Sequence, residues 1–297
     1  MTIIKRLLAP FGALLALGST SAQAREPQVA RPALWEVSDA NTRIYLFGTI
    51  HLLPQDLKWR TPAFDSAVSS AQQLVVETIV DQQNPQGIAA AEASLGFKQG
   101  LPPIAQRVPP AKLAKLRAAI AKSGAPEKVF DQMKTWLAAI TLLSVQFKDM
   151  GLHGKDGPEE ILRQQFLSAH KPIGELETNV EQFGYFDRMS EKAQRELLEG
   201  ALEPQGSTDK EFDGMLSSWS KGDVNGIAVT FNRELSQSSE IRKLLLQQRN
   251  ANWARWIEQR MAQPGTILLA VGAGHLAGAD SVVEKLRLDG YKVRRVQ

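Results

Sequence analysis

The chain contains no cysteine. That excludes a disulfide framework, a thiol nucleophile, a thiolate metal centre and a lipid-modified cysteine, so any metal would have to be held by His, Asp, Glu and water. Strong charge of either sign is missing too. The formal net charge of the 297 residues is +3, and Lys5 and Arg6 supply two of those charges, which leaves +1 beyond residue 24. No basic run with interleaved aromatics occurs, so nucleic-acid binding has no support. Past residue 24 no stretch reaches the ~18 continuous apolar residues of a membrane helix. There is no Gly-x-Ser-x-Gly elbow, no His-Glu-x-x-His helix, no phosphate loop and no dinucleotide fingerprint. Histidine is scarce: His51, His153, His170 and His275 are all there are.

The first 24 residues differ from the rest. Lys5-Arg6 is a short positive segment, Leu7 to Leu17 is mostly apolar, and Ala22-Gln23-Ala24 is a small-x-small cleavage signal. This is the anatomy of a secretory signal peptide. The apolar run is short for a bilayer span and carries Pro10 and Gly12. The expectation is export across the inner membrane to the periplasm, with residues 25–297 forming one domain and no membrane span after cleavage.

Within that domain, 35–38 and 43–49 alternate as a hairpin does, joined by Asp39-Ala40-Asn41 turn chemistry. Residues 62–72 suit a helix with Thr61 as N-cap and Pro62 at its first position. Gln73 to Ile79 reads as a buried strand bearing Glu77. Helical spacing then dominates, with one helix opened by Pro109-Pro110 and closed at Ser123-Gly124, a long core helix over 126–149 and another over 158–169. Pro172 to Thr178 reads as a strand that ends in an acidic group. Helices are expected over 190–202, 208–221, 223–247 and 250–262, then the clearest buried strand, Thr266 to Val271, a helix over 280–289 and a last strand over 291–296. Strands at both ends favour an α/β fold, a mixed sheet core covered by helices, with a largely helical insert at about 83–170 and 188–262.

His51 and His275 share one arrangement: an apolar strand, a glycine, two residues, then the imidazole. Glycine lets a backbone turn sharply and approach a neighbour closely, and ligands of open α/β sheets bind beyond the carboxyl ends of strands. The spacing therefore places both rings at one sheet rim, the alternative being that each is a hydrogen-bonded loop residue. Glu77 and Glu177 stand near strand ends where they could face that rim, or serve as caps or salt-bridge partners. Glu175 shares a strand face with Glu177 but lies further from the end. Two imidazoles with one or two carboxylates suit Zn²⁺, Mn²⁺, Co²⁺ or Fe²⁺, and a carboxylate off the metal could act as general base. Arg249 could clamp a carboxylate or oxyanion, or form an ordinary salt bridge. His153, in a glycine-rich turn, and His170, before Lys171-Pro172, read as surface loop residues.

These residues resemble the TraB/GumN family, which includes the animal Tiki proteins. The resemblance rests on Tyr45 to Pro54 (YLFGTIHLLP), Leu74-Val75-Val76-Glu77, Gly154-Lys155-Asp156, Leu176-Glu177-Thr178 with Glu181-Gln182, Arg249-Asn250, and Val271 to Gly278 (VGAGHLAG). It spans residues 33–296. Gly174-Glu175 departs from it, since an apolar residue is more usual there. The resemblance implies a fold like that of the erythromycin esterase and ChaN-like group. It also implies a metal-dependent hydrolase of the peptidase kind, acting on a peptide or protein, with a divalent metal (Zn, Mn or Co) held by His51, His275 and Glu77 and with Glu77 and Glu177 as catalytic candidates; Arg249, read above as a clamp, joins those two as a third. Other members bind haem, so a non-catalytic peptide- or haem-binding protein of the same fold is the alternative. A metal-free hydrolase with histidine as base, as in the esterase relatives, is a third expectation.

Overall fold

The computed structural model describes residues 30–54, 57–81, 84–149, 157–203, 205–235 and 238–297. The expected signal peptide, His153 and Gly154-Lys155-Asp156 lie outside them. Six strands form one mixed sheet: β1 Leu34–Ser38, β2 Thr42–Thr49, β3 Gln73–Val76, β4 Ile173–Glu175, β5 Gly265–Gly272 and β6 Val293–Arg295, in the order β4-β3-β5-β2-β1-β6. Strands β2, β3, β4 and β5 run parallel, while β1 is antiparallel to β2 and β6. The β1–β2 turn closes because the Asp39 carboxylate accepts from the backbone N–H groups of Asn41 and Thr42, an Asx turn.

Strand alternation divides the core between the two sheet faces. Tyr45, Phe47, Leu268 and Ala270 pack on one side, beneath the helical insert. Ile44, Leu46, Ile267, Leu269 and Val271 pack on the other. Strand β5 is buried on both faces because it is central, parallel and helix-covered, which is why it reads as an unbroken apolar run. The helices are α1 Pro62–Ser70, α2 Gln86–Gly96, α3 Leu113–Ser123, α4 Glu127–Gln132, α5 Thr135–Asp149, α6 Pro158–Ser168, α7 Asn179–Asp187, α8 Glu191–Ala201, α9 Gln205–Ser220, α10 Val224–Leu235, α11 Ser239–Arg242, α12 Arg249–Met261 and α13 Val282–Leu288. Among the described residues no helix is long and apolar enough to cross a membrane.

The structure departs from the sequence reading in three places. The helix expected over 126–149 is two, α4 and α5. Between them Met133 forms an antiparallel bridge with Phe97. The buried Arg107 donates there to the carbonyls of Asp131, Met133 and Pro102, satisfying backbone oxygens that a helix would have used. Val129, an apolar residue of that expected core helix, is 37% exposed. Second, the helix expected over 223–247 ends with α10, and the break expected near Arg249 is missing. Instead α11 runs through a π-helical segment, Lys243–Gln248, directly into α12. Third, the strands expected over 73–79 and 172–178 span only Gln73–Val76 and Ile173–Glu175, so Glu77 lies just past its strand, and α7 follows the second almost at once. Thr178 caps α7, and its hydroxyl accepts from the backbone N–H of Glu181 while the Glu181 carboxylate accepts from the backbone N–H of Thr178. That capping box was readable as Thr-x-x-Glu.

This cap holds the chain immediately after Glu177. Thr178→Ala should destabilise the fold by about 1 kcal/mol, measured as a lower urea midpoint with an unchanged slope.

Candidate functional site

Strands β2 and β5 are parallel neighbours, with Gly48 opposite Val271 and Thr49 opposite Gly272. Both Gly-x-x-His turns therefore leave the sheet at one edge, side by side. The two glycines permit contact between them. A methyl group on Gly48 would lie 3.1 Å from Cα and 3.2 Å from Cβ of Ala273, in the other turn. One on Gly272 would lie 3.1 Å from Glu77 Oε1, 3.6 Å from His275 Cδ2 and 3.9 Å from His51 Nε2. The bare Cα of Gly272 thus floors a gap bordered by Glu77, His275 and His51. Glu77 and Glu177 reach the same edge, since the backbone N–H of Glu177 donates to the Glu77 carbonyl just beyond β3 and β4. Glu175 turns elsewhere and accepts from the backbone N–H of Ile79.

Arg249 lies among these groups, 3% exposed. Its Nη2 donates to Glu77 Oε2 at 2.8 Å and lies 2.9 Å from Glu177 Oε2. Its Nε donates to Glu177, and Nη1 lies 3.2 Å from His275 Nε2. Trp253 Nε1 also donates to Glu177 Oε1 at 2.8 Å. The Trp253 ring lies 4.7 Å from the guanidinium and 4.4 Å from the His275 ring. Arginine can only donate, so Nε2 of His275 accepts and Nδ1 carries the proton. Nδ1 accordingly donates to Asn250 Oδ1 at 2.6 Å, and Asn250 Nδ2 donates to the Asp280 carbonyl at 2.8 Å. Asn250 is fully buried, and as the neighbour of Arg249 it fixes the ring of His275 from the opposite side.

His51 is the more open imidazole, with its side chain 24% exposed. Its Nδ1 lies 2.6 Å from Glu159 Oε1, and the same oxygen accepts from the Thr49 hydroxyl. Glu159 is the second residue of α6, so the insert itself supplies the carboxylate that orients His51.

Burial and the Arg249 charge push the His275 imidazole down to about 3. Burial works against the Glu77 carboxylate, but Arg249, His275, His51 and the Gly272 N–H together hold it down at about 2. Burial also opposes charge on His51, yet Glu159, aided by Glu77, outweighs it and lifts the ring to about 9. Glu177 is raised by burial against the pull of Arg249. The result is a neutral imidazole beside Arg249 and a cationic one facing the gap.

The sequence profile of the TraB/PrgY/gumN family matches residues 33–295. The chain belongs to the TraB/PrgY/gumN family. The protein YbaP of Escherichia coli (strain K12), described as uncharacterized, is 25% identical over 258 residues, covering 86% of this chain and 92% of its own. YbaP of Shigella flexneri, also described as uncharacterized, gives the same figures. No solved structure matches. In this family member, His51, Glu77, Glu177, Arg249 and His275 meet at one sheet edge. His170 lies apart, exposed and in the left-handed region at φ 55°. Sequence reasoning gave no role to Glu159, Asn250 or Trp253. Pro158-Glu159-Glu160 looks like any acidic helix start, and only the folded insert brings it to His51.

The shifts set the pH response of stability. His275 binds its proton near 6.5 when unfolded and near 3 when folded, so its contribution is complete above pH 6.5 and is lost as pH falls toward 3. Glu77 adds the same sign between 4.5 and 2. The unfolding temperature should fall steadily from pH 6.5 to 4.5, and His275→Gln should flatten that limb in a calorimetric series.

Proposed function

We propose that this chain is a hydrolase of peptide or protein substrates that activates water between His51 and Glu77. The observation that carries the reading is the gap over Gly272, where His51 Nε2 and Glu77 Oε1 face a common space. Glu159 accepts from His51 Nδ1, so Nε2 is the nitrogen that exchanges its proton. With Nε2 deprotonated, a water held by Nε2 and Glu77 would give its proton to His51 as its oxygen bonds the scissile carbonyl carbon. His51 would return that proton to the leaving nitrogen as the C–N bond breaks, and the ring would be restored. Glu77, kept anionic by Arg249, would hold the water and steady the imidazolium. The signal-peptide anatomy of residues 1–24 supports the periplasm as the compartment.

The family resemblance implies a divalent metal. An ion shared by His51, His275 and Glu77 needs a lone pair from each. His275 Nε2 already accepts from Arg249, and an ion ~2.0–2.1 Å from that nitrogen would collide with Nη1, which lies 3.2 Å away. Among the described residues no three His, Asp or Glu side chains are grouped to hold a metal. The three-ligand set does not fit this packing.

His51→Ala and Glu77→Gln should each lower kcat/KM on a peptide library by about 10²–10⁴-fold, and Glu77→Gln should also lower the unfolding temperature, because it takes a carboxylate from the buried Arg249. Because Glu159 holds His51 protonated up to about 9, kcat/KM should climb with pH and level off near pH 9, and Glu159→Gln should move the plateau to lower pH. Tight peptide binding without cleavage over hours, or a Soret band on haem titration, would replace the hydrolase with a binding protein. Gly272→Ala should cost activity, since the new methyl group would press on Glu77 Oε1 at 3.1 Å and crowd the gap; an unchanged kcat/KM would count against the gap as the site.

A further inference from the structure

We propose that Arg249 is the resident cation of this centre, its guanidinium engaging Glu77 and His275, two of the three groups that a family-type metal would need. The proposal concerns how Glu77, Glu177 and His275 are neutralised and does not depend on hydrolysis. A divalent ion would draw on lone pairs of the two glutamates and His275. Arg249 already donates to all three from a nearly solvent-free position, with Nη2 bridging Glu77 and Glu177, Nε on Glu177 and Nη1 at His275. The planar fork of arginine suits this, because its five N–H groups reach several acceptors at fixed angles and it does not deprotonate. A lysine could offer three donors from a single atom.

The surroundings secure the guanidinium. Trp253 lies 4.7 Å and Tyr185 5.9 Å from its central carbon, so aromatic faces add cation–π attraction. Tyr185 is fixed by Asn252, whose amide donates to its hydroxyl at 2.9 Å. Asn250 fixes the tautomer in which His275 presents a lone pair to Arg249 rather than a proton. Adding a divalent ion would place two positive charges against the guanidinium in a buried space, which low dielectric makes costly.

Metal content tests this independently of any activity assay. The mature protein is purified without chelator and dialysed separately against Zn²⁺, Mn²⁺ and Co²⁺. Bound metal is then measured on wild type, His51→Ala, His275→Ala, Arg249→Lys and Arg249→Met. Wild type and Arg249→Lys, both carrying a cation, should hold no stoichiometric metal and show no rise in unfolding temperature. Arg249→Met frees Glu77, Glu177 and His275. It should be less stable, then take up about one ion per chain and regain unfolding temperature with it, since a ligand bound only by the folded state stabilises it. One ion per wild-type chain that is lost in His51→Ala or His275→Ala would overturn the proposal. So would a folded Arg249→Met that binds none. If Arg249→Met does not fold, the wild-type metal content decides by itself.

Discussion

A single buried positive charge organises the sheet edge that carries the candidate site. Arg249 contacts residues from three separated stretches of chain: Glu77 after β3, Glu177 after β4 and His275 after β5. Removing water from a guanidinium and two carboxylates is expensive, and attraction repays the cost only where geometry is good and remaining donors and acceptors are satisfied. Those conditions hold here. Gly272 N–H completes Glu77 at 2.7 Å, Trp253 completes Glu177, and Asn250 completes His275. Breaking one partner in such a set typically costs about 3–5 kcal/mol, because the others are left buried and unpaired. The cluster therefore ties strand ends together as well as shaping a site.

The backbone serves the same end. The π-helical segment Lys243–Gln248 runs straight into α12, and an extra residue in a helical turn changes the direction of everything after it. Arg249 and Asn250 are the first residues past it. Both are buried and both act on His275, one at each ring nitrogen. On the other side of the gap α6 performs the equivalent service, as Glu159 joins Thr49 and His51 to the insert. The two histidines of the repeated motif thus occupy opposite electrostatic settings. His275 is enclosed and kept neutral by a cation, while His51 is partly open and kept charged by carboxylates.

That asymmetry could not be read from the repeated Gly-x-x-His spacing, which treats the two residues alike. Nor does spacing tell which lone pairs are consumed. His51, His275, Glu77 and Glu177 were all recognisable as residues at strand ends, and their meeting at one rim follows from β2, β3, β4 and β5 being parallel. Whether those residues could share an ion depends on the direction of Arg249, and that direction depends on tertiary packing.

Local chemistry in the sequence was sufficient for the α/β class, the β1–β2 hairpin with its Asp39 turn, the Thr61 and Pro62 start of α1, the apolar β5 and the glycines before each histidine. These follow from backbone preference and period, which act over a few residues. Long-range contacts decided the rest. The 126–149 helix broke because backbone near Met133 found partners at Gly96 to Lys98 and at Arg107. The expected break near Arg249 vanished into a π turn. Glu159 acquired its role by arriving beside His51 from more than a hundred residues away. Spacing along the chain determined which side chains reach the sheet edge; the packing of the insert and α12 decided the charge each one carries there, because only burial and fixed neighbours can shift a proton.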